Sequence, residues 1–93
     1  MTTYDQLAQK IIKYEELIVS PVAWMLASKV DGLVIKNSEN YDITVAGEPK
    51  KVINSLVAQY EDLFGRVGKM QCQDASFDLI EKMNSVDIPE SLK

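Results

Sequence analysis

The chain contains no histidine and a single cysteine, Cys72, which limits the chemistry that its side chains can perform. Without histidine there is no Ser-His-Asp triad, no Cys-His pair and no imidazole base that titrates near neutral pH. A reactive thiol needs a nearby cation or helix N-terminus to lower its pKa. Cys72 instead lies on an apolar helical stripe with Ala75 and Leu79. We therefore expect a core cysteine, and we predict no catalytic residue, no metal ligand and no cofactor.

Carboxylate pairs are the remaining residues whose spacing suits chemistry. Glu15 and Glu16 are adjacent, and Asp74 and Asp78 are spaced to share one face of a helix. Two carboxylates on one face can bind a divalent cation or act as acid and base. Asp78 and Lys82 also have the i,i+4 spacing of an ion pair, which favours a solvated helix surface. A small enzyme or ligand carrier that uses carboxylates alone is the lowest-ranked hypothesis.

Length and composition predict one cytoplasmic domain. A chain of 93 residues, 46% hydrophobic and 26% charged, can form one modest core and has ordinary globular composition. The net charge of −4 disfavours nucleic-acid phosphates. The longest apolar run, 22–27, is far shorter than the ~20 residues of a membrane span, and no signal peptide is recognisable. We predict a single domain over 1–88 and a loose C-terminal tail over 89–93.

Apolar periodicity predicts two helices in the first third of the chain. The first covers roughly 3–18, and Thr3 and Gln6 have the spacing of a capping box. Its apolar face has one polar break, and the face consists of Tyr4, Leu7, Ala8, Ile11, Glu15 and Ile18. The second helix runs from Pro21 to Lys29 and is apolar around most of its circumference, which indicates burial.

Two further helices are predicted between residues 48 and 83. The third extends from Pro49 to Phe64, and the fourth reaches about Asn84. The phase of the apolar positions changes across Gly65 and Gly68, so we expect two helices that meet at a bend. The two glycines then supply a C-terminal cap and a hinge.

A β-hairpin is predicted between the second and third helices. Leu33–Ile35 is a short β-branched run, and Tyr41, Ile43 and Val45 alternate with polar residues around the polar loop 37–40. Because a lone hairpin is marginal in water, it must pack on the helices or pair with strands, including those of another copy. The predicted fold class is α+β, mainly helical, with four helices and one β-hairpin.

The hairpin segment also carries a recognisable succession of residues. It has Gly-Leu-Val-Ile at 32–35, Tyr-Asp-Ile-Thr at 41–44 and Gly-Glu at 47–48. Over 29–48 the chain resembles the wing segment of winged-helix DNA-binding domains, where it follows the recognition helix and leads into a dimerisation helix. The resemblance implies a DNA-binding transcription regulator, which is the alternative function. The lysines that would then touch phosphates are Lys29, Lys36, Lys50 and Lys51.

The segment in the position of the recognition helix departs from that family. In residues 21–30, Lys29 is the only charged residue and apolar residues dominate. A helix that enters the major groove needs polar and basic side chains to reach base edges and phosphates. Some winged-helix domains serve in protein contacts instead of DNA contacts.

The leading hypothesis is a non-enzymatic regulatory or adaptor module that acts through protein–protein contacts. The apolar helical surface over 48–83 is large for so small a chain, and the sequence contains no recognisable set of catalytic residues. We expect self-association as a homodimer, with no membrane partner and no nucleic acid. Tyr, Phe and Met are enriched in protein interfaces, and the predicted interface residues are Val57, Tyr60, Phe64, Val67 and Met70. The alternative is that these five side chains form the core of the monomer.

Overall fold

The computed structural model describes residues 2–93. Its helices and strands are α1 Thr3–Val19, α2 Pro21–Ala27, β1 Leu33–Asn37, β2 Asp42–Val45, α3 Pro49–Phe64 and α4 Arg66–Ile80. Two short 3₁₀ helices follow, η1 Ser85–Asp87 and η2 Glu90–Leu92. The order confirms the predicted α+β, mainly helical class with one hairpin between the second and third helices. No helix in residues 2–93 is long and apolar enough to cross a membrane.

The first helix begins with a capping box made by Thr2 and Asp5, not by the predicted Thr3 and Gln6. The Thr2 hydroxyl accepts from the backbone N–H of Asp5 at 3.1 Å, and the Asp5 carboxylate accepts from the backbone N–H of Thr2 at 3.0 Å. The second Asp5 oxygen accepts from the backbone N–H of Val45 at 2.7 Å. Burial raises the pKa of Asp5, but these hydrogen bonds outweigh it and hold the pKa below its ordinary value. One carboxylate thus caps α1 and attaches β2 to it.

One face of the hairpin packs on the helices. Strands β1 and β2 are antiparallel, with Leu33 opposite Val45 and Ile35 opposite Ile43. Leu33 and Ile43 are buried, whereas Val34 is exposed on the other face. The alternation predicted for the second strand is confirmed, and the hairpin packs against α1 rather than standing alone.

Helices α3 and α4 meet at Gly65, which has φ +67 and ends α3 as the predicted cap. Gly68 lies inside α4, and a Cβ at this position would overlap the carbonyl oxygen of Tyr60. Gly68 therefore permits close packing of the two helix backbones and is not the predicted hinge. Helix α4 also ends at Ile80, earlier than predicted.

The core lies between α1, α3, α4 and the hairpin. Tyr60 is completely buried, and its hydroxyl donates to the carbonyl oxygen of Ala23 at 2.8 Å, which attaches α2 to α3. Val57 is completely buried as well. The placement of Val57 and Tyr60 in an interface is therefore wrong, because other elements of the same chain already cover this side of α3.

The predicted loose tail over 89–93 is also wrong. Leu92 is only 4% exposed and packs in the core next to α3 and α4. The backbone N–H and the hydroxyl of Ser91 donate to the side-chain oxygen of Asn54 at 3.0 and 2.7 Å. Burial of one leucine and two hydrogen bonds to α3 hold this segment in place.

Candidate functional site

Helix α4 buries small side chains and leaves three of its larger apolar side chains exposed, whereas Leu79 and Ile80 at its end pack against the core. Its buried residues are Gly68, Cys72 and Ser76. On the opposite side Val67, Met70 and Phe77 are 56%, 53% and 58% exposed. A helix on the surface of a single domain ordinarily buries its larger apolar residues. Hence three apolar side chains on one side of α4 leave more than half of their surface accessible to solvent.

The exposed residues of α4 follow helical spacing and form one continuous surface. We define the α4 face by its exposed members, which are Arg66, Val67, Met70, Asp74, Phe77, Asp78 and Glu81, the last directly after the helix. Successive members are mostly three or four residues apart, so they lie on one side of the helix. Lys69 is half-buried on its flank.

The charges on and beside the α4 face are segregated along the helix. Arg66 and Lys69 lie at its N-terminal end, Asp74 lies near its middle, and Asp78 and Glu81 lie at its C-terminal end. The helix dipole favours acids near the N-terminus and bases near the C-terminus. Helix α4 has no acid in its first turn and no base in its last. The order of charges is therefore unfavourable within α4 itself.

Ion pairs within the chain do not compensate this arrangement. Both salt bridges of the described chain join residues three positions apart outside α4, at Lys51–Glu48 and Lys93–Glu90. The predicted pair of Asp78 and Lys82 is not formed. The acidic end of the α4 face is therefore solvated, as the sequence interpretation favoured.

The structure divides the predicted interface residues between surface and core. Val67 and Met70 lie on the α4 face, Phe64 is half-buried at the end of α3, and the other two are in the core. Phe77 was missed, although it follows Met70 by seven residues, two helical turns, on the same side.

A buried polar cluster lies beneath α4. Glu15 of α1 has no exposed surface. With its amide nitrogen turned toward the carboxylate, Gln71 donates to Oε1 at 2.7 Å and to Oε2 at 3.1 Å. Burial raises the pKa of Glu15 to about 7. Burial also raises the pKa values of Cys72 and Tyr60, and the nearby Glu15 raises both further. Cys72 is thus a buried, protonated core cysteine, as predicted.

Trp24 and Tyr41 form an aromatic pair beside Glu16. Their ring centroids are 5.6 Å apart, and Lys13 Nζ lies 4.7 Å from the centroid of the Tyr41 ring. Glu16 accepts from Trp24 Nε1 at 2.5 Å and from the Tyr41 hydroxyl. The hydrogen bonds from Tyr41 and Trp24 lower the pKa of Glu16. These groups satisfy one another, so the cluster joins α1, α2 and the hairpin.

Other surfaces offer weaker candidates. A surface depression of about 350 Å³ between the start of α1 and the segment after α4 is open to solvent and lined partly by Tyr4, Lys82 and Asp87. The Tyr4 hydroxyl bridges it by donating to the carbonyl oxygen of Asp87 at 2.8 Å. Residues 2–93 contain no cluster of three or more potential metal ligands.

The lysines of the winged-helix alternative are exposed on several elements. Lys29 follows α2, and Lys36 lies on β1. Lys50 Nζ donates to the carbonyl oxygen of Val86 at 2.8 Å, and Lys51 forms a salt bridge of 3.1 Å with a neighbouring glutamate. Helix α2, in the position of a recognition helix, has only seven residues and carries no charge.

Comparisons with protein-family models, with curated proteins and with solved structures gave no match. The winged-helix resemblance is therefore neither supported nor contradicted, and the function has to be argued from the geometry of the chain.

Proposed function

We propose that the protein is a non-enzymatic regulatory or adaptor module that acts through protein–protein contacts made by the α4 face. The observation that carries this proposal is the packing of α4, which buries Gly68, Cys72 and Ser76 and leaves Val67 and Met70 more than half exposed. Removing apolar surface from water contributes about 25 cal/mol per Å². A partner that covers these side chains therefore gains binding energy that the isolated fold leaves unused.

The positions of the titratable groups favour contact over catalysis. The Cys72 thiol and the Glu15 carboxyl are enclosed between helices, so a substrate cannot reach them without local unfolding. The Glu16 carboxylate is exposed enough to meet a ligand, but its oxygens already accept from Trp24 and Tyr41. The α4 face, by contrast, combines accessible apolar side chains with charges at both ends, a composition suited to specific recognition.

Site-specific photocrosslinking tests this proposal in the cells that naturally make the protein. A photoreactive phenylalanine analogue replaces Met70 in one full-length variant and Met25 in a matched control. Both methionines are exposed to a similar extent, 53% and 59%, but Met25 lies on α2. We expect a discrete protein adduct from position 70 that is absent from position 25 and is lost when Phe77→Asp is added. Equal adduct patterns at the two positions, or none, would contradict the proposal.

A further inference from the structure

The α4 face is complementary to itself when two copies of the helix run antiparallel. Consider a two-fold axis at the midpoint between Gln73 and Asp74. Arg66 and Glu81 are equally distant from this midpoint, so Arg66 of one copy lies opposite Glu81 of the other. Met70 and Phe77 are also equally distant, so the apolar side chains meet between the charges.

A parallel arrangement does not have this property. It would place Arg66 against Arg66 and each acid against the same acid, which is repulsive. The antiparallel arrangement also opposes the two helix dipoles, so the basic N-terminal end of each α4 meets the acidic C-terminal end of its copy. The order of charges opposes the helix dipole within one α4, but it produces attraction between two antiparallel copies of α4.

We propose that the partner of the α4 face is a second copy of this chain, packed antiparallel about a two-fold axis between Gln73 and Asp74. This inference rests on the proposed function of the α4 face. Such an interface is isologous, since the same surface serves both copies. Single helix faces bury less than the ~1,200 Å² typical of stable complexes. The homodimer is therefore a weak one that forms above micromolar concentrations.

Asp74 allows the proposed antiparallel register of the two α4 helices to be tested. It lies beside the two-fold axis, so the two Asp74 carboxylates of a dimer approach each other and repel. Asp74→Asn removes this repulsion without changing side-chain size and should tighten the dimer several-fold. A contact with an unrelated basic partner would instead lose attraction when this carboxylate is removed.

The decisive experiment is charge reversal. Dimerisation is measured by sedimentation velocity of the full chain at concentrations from about 10 μM to about 1 mM. Arg66→Glu and Glu81→Arg should each weaken dimerisation about tenfold, and the double variant should restore it, because residue 66 of one copy then faces an opposite charge at residue 81 of the other. Met70→Asp should abolish the dimer, whereas the matched Met25→Asp should leave it unchanged. Circular dichroism of every variant confirms that the fold is retained.

Four outcomes overturn the self-pairing, and one of them separates it from the proposed function. A wild-type chain that stays monomeric at about 1 mM contradicts it, as does a double charge reversal that remains as weak as the single variants. A crosslink from position 70 to a different protein, with a monomeric purified chain, overturns the self-pairing and leaves the proposed function standing. Loss of the crosslink at position 70 overturns both.

Discussion

Glu15 on α1 and Gln71 on α4 join the two helices through a contact between the buried carboxyl of Glu15 and the half-buried amide of Gln71, with nitrogen-to-oxygen distances of 2.7 and 3.1 Å. No cationic side chain of residues 2–93 forms a salt bridge with this carboxyl. Burial disfavours the charged carboxylate while the amide donors of Gln71 favour it, and burial sets the direction of the pKa shift. The packing of α1 on α4, and hence the support beneath the α4 face, is therefore coupled to the protonation of Glu15.

This coupling predicts that stability falls as pH rises from acidic to neutral values. Burial raises the pKa of the folded Glu15 from 4.5 to about 7, so the folded state binds the proton more tightly than the unfolded chain. The stability contributed by the protonated carboxyl is complete below the unfolded pKa and is lost as pH rises through the folded pKa. We expect the free energy of unfolding in urea to decrease by about 1–3 kcal/mol between about pH 5 and about pH 8.

Two variants identify the group responsible for this pH dependence. Glu15→Gln keeps an amide-sized side chain that can still meet Gln71, and it should flatten the profile and stabilise the chain at about pH 8. Glu16→Gln, at the neighbouring position, should leave the slope unchanged because the pKa of Glu16 is lowered. Tyr60 and Cys72 also face the cluster but stay protonated throughout, and the chain has no histidine. An unchanged slope in Glu15→Gln would refute the assignment.

The Glu16 cluster predicts a specific effect of removing one hydroxyl group. Tyr41→Phe eliminates the hydrogen bond to the Glu16 carboxylate and should lower the free energy of unfolding, because that carboxylate keeps only the donor of Trp24. Because Trp24 shares that carboxylate, its fluorescence emission should also shift. Tyr14→Phe is the matched control, since the half-buried Tyr14 hydroxyl makes no hydrogen bond within residues 2–93. Equal effects of the two substitutions would show that the cluster does not stabilise the fold.

Replacing Gly68 by alanine tests whether helix packing or helix propensity dominates at this position, because the two effects change the stability in opposite directions. Replacing glycine by alanine inside a helix normally stabilises it by about 1 kcal/mol. At Gly68 the added Cβ would overlap the carbonyl oxygen of Tyr60, so α3 and α4 would have to separate. We expect Gly68→Ala to destabilise the chain by more than about 2 kcal/mol in thermal or urea unfolding. A more stable variant would mean that the helices do not approach this closely.

The periodic elements could be predicted from the sequence, because they depend on local patterns. The helix over Pro49–Phe64 follows from apolar spacing, and the hairpin follows from the alternation of its second strand and the polar loop before it. Periodicity does not reveal what covers an apolar stripe. Val57 and Tyr60 looked as suitable for an interface as Val67 did, and only the packing of α1 and α2 on α3 distinguishes them.

Contacts between distant residues could not be predicted in this way. Glu15 was visible as the one polar break in the apolar face of α1, but its partner Gln71 is far away in sequence and on another helix. Leu92 is too isolated in the sequence to show any period, and its burial results from contacts with α3 and α4. The α4 face became recognisable only when the small residues of α4 were found to be buried.

The charge order of α4 predicts opposite effects of one substitution on the monomer and on the dimer. Arg66 lies at the N-terminal end of α4, where a base opposes the helix dipole and an acid favours it. Arg66→Glu should therefore raise the free energy of unfolding of the dilute monomer by about 0.3–1 kcal/mol, measured by urea unfolding below micromolar concentration. Arg66→Gln should give a smaller gain of the same sign, since it only removes the unfavourable charge. If Arg66→Glu instead destabilises the dilute monomer, Arg66 makes a stabilising contact within its own chain and cannot be assigned to the second copy.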